Sequence, residues 1–132
     1  MSTRTIHFDN MTIGSIAEYN DSAEIEFTHA IIVKNMDAAE EDTRWYCAGS
    51  IQIEGIEQRL GDFPEFPTQL SGADIRDNQM IYRDEIAIPF SFHGYVGIEL
   101  RFTQPDVVLK LSGEKLSLKL SGHEKYIEHI RD

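Results

Sequence analysis

The chain has 132 residues, 41% apolar and 27% charged, which suffices for one packed core and leaves little room for two domains. A net charge of −11 argues against nucleic acid and anionic membranes as partners, because both repel an acidic surface. No segment approaches the roughly 20 consecutive apolar residues that span a bilayer, and the single cysteine, Cys47, excludes an internal disulfide.

From Met1 to Arg4 the chain leads straight into alternating residues, without the apolar run of a secretory signal. The expectation is a cytoplasmic protein. Thr3 to Phe8 alternates, and Met11, Ile13, Ser15, Ala17 and Tyr19 continue at period two. Asn20-Asp21-Ser22 is a turn. In the next strand Ile25, Phe27, His29, Ile31 and Val33 share one face, with Glu24, Glu26 and Thr28 on the other.

A polar connection, Asn35 to Asp42, follows. From Thr43 to Ile56, the residues Trp45, Cys47, Gly49, Ile51 and Ile53 share a parity. A glycine inside a strand marks a bulge or a close backbone approach. Gly55 to Asn78 reads as a long irregular connection. Its Phe63-Pro64-Glu65-Phe66-Pro67 cannot join a central strand, and Ser71-Gly72 and Asp77-Asn78 read as turns.

Ile86 to Leu120 then reads as a four-strand meander, with reversals at His93-Gly94, at Thr103 to Asp106 and at Ser112 to Lys115. Tyr126, Ile127 and Ile130 lie at helical spacing and predict a short terminal helix. The whole is a single all-β domain over residues 1–132, mainly antiparallel: a β-sandwich or closed β-barrel of about eight strands with a short C-terminal helix.

Motifs that carry chemistry are weak here. His123 and His129 are six apart, so they lack the four-residue spacing of a helical zinc site, although Glu128 adjoins His129. His29 has core parity and reads as a buried histidine; its alternative role is a general base in a ligand cavity. Asp37, Glu40, Glu41 and Asp42 lack the spacing and central glycine of an EF-hand loop. Asp74, Asp77 and Asp84 match no metal motif either. Phosphate-binding glycine loops and nucleophile elbows are absent from the sequence. Cys47, between Tyr46 and Ala48, reads as a small core residue.

No cofactor is implied, and the balance leans away from catalysis. The reading that fits best is a non-catalytic interaction module, an inhibitor or immunity-type partner of a basic protein, since opposite charge speeds encounter. Asp37, Glu40, Glu41 and Asp42 are its candidate contacts. The alternative is a barrel that binds a small molecule, with catalysis as an option inside it, using Trp45 and His29 under a lid made by Phe63 and Phe66. A third reading is a subunit that forms a homodimer through an edge strand.

Overall fold

The computed structural model describes residues 3–35, 42–105 and 107–130, and of residues 123–126 and 128–130 it describes the backbone alone. Nine strands form: β1 (Thr3–Tyr19), β2 (Ser22–Asn35), β3 (Asp42–Glu54), β4 (Gln58–Leu60), β5 (Thr68–Asp77), β6 (Met80–Arg83), β7 (Glu85–Ala87), β8 (Ser91–Phe102) and β9 (Val108–Ile130). Every pairing is antiparallel. Among the described residues there is no helix, and so none long and apolar enough to cross a membrane.

Six strands close on themselves in the order β1-β2-β3-β9-β8-β5. The ring is completed where Thr12 and Ile13 of β1 meet Gln69 and Thr68 of β5. That contact decides for a barrel over an open sandwich, because closure leaves no edge within the ring. β6 and β7 continue the sheet beyond β5 and β1, and β4 lies along β9.

Alternation explains which side chains fill the barrel. Ile25 and Phe27 of β2, Ile51 and Ile53 of β3, Ile98 and Leu100 of β8, and Leu109, Leu111 and Leu116 of β9 all point inward and are buried. Phe8, Met11 and Ile13 join them from β1, and Leu70, Ala73 and Ile75 from β5. Burying each large apolar side chain stabilises the fold by about 1.5–3 kcal/mol. Cys47 is buried among them.

Four expectations need correction. The terminal helix does not form: β9 runs on to Ile130, pairing Arg44 with Glu128 and Trp45 with Tyr126. A lone eight-residue helix is marginal, whereas the first half of β3 offers an open ladder to pair with. Ser112 to Lys115 does not reverse the chain but lies within β9. Gly113 serves close approach there, because a Cβ on it would fall 2.8 Å from the Glu54 carbonyl oxygen.

His93-Gly94 is likewise no hairpin. It is a bulge inside β8, with the register shifting between His93 and Val96 and Gly94 at φ +109°. Finally, the irregular segment Gly55 to Asn78 contains β5, a full barrel strand that includes Ser71-Gly72. A register shift between Leu70 and Gly72 breaks its alternation and hides it from a period-two reading. The turn at Asp77-Asn78 is present, joining β5 to β6 through Asp77 paired with Met80.

Candidate functional site

With the barrel interior occupied by side chains, chemistry has to be sought on the outside. Two outer surfaces stand out.

The first is a groove on the face of β5, β8 and β9. It arises from cross-strand rows. One row runs Ile81, Arg76, Gly97, Ser112, Gln58 across β6, β5, β8, β9 and β4. The next runs Arg83, Asp74, Glu99, Lys110, Leu60 across the same strands. Gly97 has no side chain, so the centre of the first row is low, and a depression of about 210 Å³ opens there. Leu60 stands on one side, and Ile81 and Tyr95 on the other.

Ions knit the floor of this groove together. Arg101 reaches Glu99 at 2.8 Å, Asp84 at 3.1 Å and Asp74 at 3.2 Å. Lys110 meets the other Glu99 oxygen at 3.1 Å, and Arg83 meets Asp74 at 3.3 Å. Burial acts to raise the Glu99 pKa, but hydrogen bonds from Lys110 and Arg101 outweigh it and hold the carboxyl below its ordinary value. Burial acts to lower the Arg101 pKa, and its bonds to Glu99 and Asp74 overcome that and raise it. Asp84, in the left-handed region at φ 64°, also accepts the Ala73 amide at 3.0 Å, so it ties the network to the β5 backbone.

The second surface is one end of the barrel, where the β1–β2 turn meets the β3–β4 corner. The Ile56 amide donates to the Asp21 carbonyl at 2.7 Å, which holds the two together. Glu18, Asp21 and Glu24 come from the hairpin, Glu54 and Glu57 from the corner, and Glu114 lies against Gly55. Ion pairs reach this end from Arg59 to Glu18 at 2.9 Å and from Lys115 to Glu54 at 3.6 Å. Tyr19 projects from the end of β1, 61% exposed, beside a small depression lined by Glu24, Gln52 and Glu54.

The residues anticipated from sequence lie elsewhere and do not converge. Asp37, Glu40 and Glu41 fall outside the described residues, and Asp42 opens β3 opposite Ile130. His29 is exposed, not buried: the β2–β3 register shifts between Phe27 and Ala30, so Thr28 and His29 both face out. Its ring meets Tyr46 edge-on at 6.1 Å, and its Nδ1 lies 3.2 Å from the Thr28 hydroxyl. Trp45 is half-buried; its Nε1 donates to Thr43 Oγ1 at 2.8 Å, and Lys34 sits 4.1 Å over its ring.

Phe63 and Phe66 pack edge-on at 6.4 Å and lean on the core, with Pro64 buried between them and Arg59 over Phe63. They anchor their loop. The His123, Glu128 and His129 side chains are outside the described set. No group of three or more metal-ligating side chains occurs among the described residues.

The groove face had a signal in the sequence. The parity opposite Val96, Ile98 and Leu100 is Tyr95, Gly97, Glu99 and Arg101, an outward face mixing an aromatic, a glycine and a charge pair. Asp74 and Asp84, which match no metal motif in the sequence, bind Arg101. That partnership depends on strands distant in sequence. Comparison of the chain with protein-family models, curated proteins and solved structures finds no match.

Proposed function

We propose that this protein is a cytoplasmic, non-catalytic interaction module that docks a basic protein through the acidic end of its barrel, as an inhibitor or immunity-type partner would. The observation that carries the reading is the gathering of Glu18, Asp21, Glu24, Glu54, Glu57 and Glu114 at the end where the β1–β2 turn meets the β3–β4 corner, with exposed Tyr19 beside Glu24 and Glu54. Tyrosine supplies a large contact area at low entropic cost and is enriched where proteins bind. Carboxylates on the same barrel end attract a cationic partner and disfavour anionic ones. Part of the net charge of −11 is thereby placed where it can steer an encounter.

Capture of a defined basic partner from extract of the native host tests the reading. At low salt the immobilised protein retains it. In about 1 M salt, where the Debye length is roughly 3 Å, it releases it. Glu54→Lys combined with Glu57→Lys weakens binding about tenfold or more at low salt, and Tyr19→Ser lowers it further. Retention that ignores salt and charge reversal overturns the reading.

A further inference from the structure

The groove face differs in kind from the acidic end. Its rows hold Arg76, Arg83 and Lys110 against Asp74 and Glu99, and Arg101 paired with Asp84 borders them, so the face is close to neutral in a chain of net charge −11. Those charges largely satisfy one another, and the floor has little left to offer an ion. What the face does present is apolar: Leu60, Ile81 and Tyr95 are each more than half exposed. It also ends at β6, a short strand whose outer edge lies at the limit of the sheet.

We propose that this face is where a second copy of the chain docks. Two copies carrying −11 repel each other, so self-association is favoured only where acids are already neutralised. The groove face meets that condition and the acidic end does not. A basic partner gains little from a neutral face, which leaves the two surfaces to different occupants. In a two-fold pair the same patch serves both copies, so Ile81 and Tyr95 of each copy meet the groove of the other.

Size sets the strength. Five strands about 4.8 Å apart span roughly 19 Å, and successive outward rows are about 7 Å apart along the strands. The patch therefore falls short of the ~800 Å² per partner of a standard stable interface, and the pair is a weak, reversible dimer.

Sedimentation equilibrium of the full chain, from micromolar to millimolar concentration, tests this. The expected result is a monomer–dimer equilibrium that strengthens as salt is added, because screening removes the net repulsion. Ile81→Glu and Tyr95→Ser each weaken it about tenfold or more, and Tyr19→Ser leaves it unchanged. All three positions are exposed, and circular dichroism checks that the variants fold. A measurement free of variants supports it: amide exchange in β6 and β8 of the wild type slows as concentration rises.

A monomer at every concentration overturns the proposal. So does a dimer that survives both groove variants, one that dissociates with added salt, or exchange in β6 and β8 that ignores concentration. Failure here leaves the acidic-end reading standing, since that reading predicts the opposite salt dependence at other residues.

Discussion

Arg101 shows how a single side chain organises a surface. Set on β8 with its outward neighbours, it bridges Glu99 on its own strand, Asp74 on β5 and Asp84 beyond β6. A guanidinium suits the role, because its donors fork toward several carboxylates at once. Glu99 is the member whose protonation reports on the network. Folding holds its pKa below the ordinary value near 4.5, so the folded state favours the ionised form. The stability it contributes is complete above about pH 4.5 and is lost as pH falls through the lowered folded value. Glu99→Gln is therefore expected to destabilise by about 1 kcal/mol at neutral pH. The gap to wild type should close on acidification below 4.5. Urea midpoints across that range measure it, and a gap that stays constant with pH would show that the loss is not ionic.

Among the elements, β3 gives the clearest case of sequence dictating geometry. Gly49 faces Phe27 of β2 and Leu120 of β9. A Cβ there would run into the Lys119 carbonyl oxygen and lie 3.0 Å from the Phe27 ring. The obstacle is backbone, so it cannot swing aside. Gly49→Ala is expected to cost about 2–3 kcal/mol, as overpacking does, and to lower the urea midpoint without changing the slope. That close approach was legible, as was the existence of β1, β2 and β3 and of the turns at Asn20 and Asn78, because runs of alternation or a turn residue mark each. Facing and boundaries were misread where a bulge intervenes. In β2 the shift before Ala30 turned His29 outward; in β5 the shift before Gly72 hid the strand; in β8 Gly94 passed for a hairpin. A bulge resets parity, and a linear pattern has no means of telling a reset from an end. The far half of β9 had no alternation to read, since its pairing with β3 is decided by tertiary context. The candidate surfaces were less legible still, because Asp74, Asp84, Glu99 and Lys110 become neighbours only when β5, β8 and β9 lie side by side.

At the scale of the whole molecule, strand pairing and charge pull in different directions. Pairing β2 with β3 brings the β1–β2 turn against the β3–β4 corner and so collects carboxylates at one end. Gathering like charges disfavours the compact state, through a repulsion that the unfolded chain relaxes by spreading out. The two ion pairs at that end, Arg59 with Glu18 and Lys115 with Glu54, are solvent-exposed and offset little of it. If the acidic end serves binding, its charge is retained at a cost in stability, the usual relation between a functional surface and the fold that bears it. Glu24→Gln combined with Glu57→Gln is therefore expected to raise the melting temperature at low ionic strength, by a few degrees for roughly 1 kcal/mol. The same pair of changes weakens capture of the basic partner. Salt separates this from a packing effect: near 1 M, with a Debye length of about 3 Å, wild type and variant should melt together. Scanning calorimetry at both ionic strengths decides it. A gain that persists in high salt would trace the effect to local packing, and a loss at low salt would mean that these carboxylates support the barrel end rather than strain it.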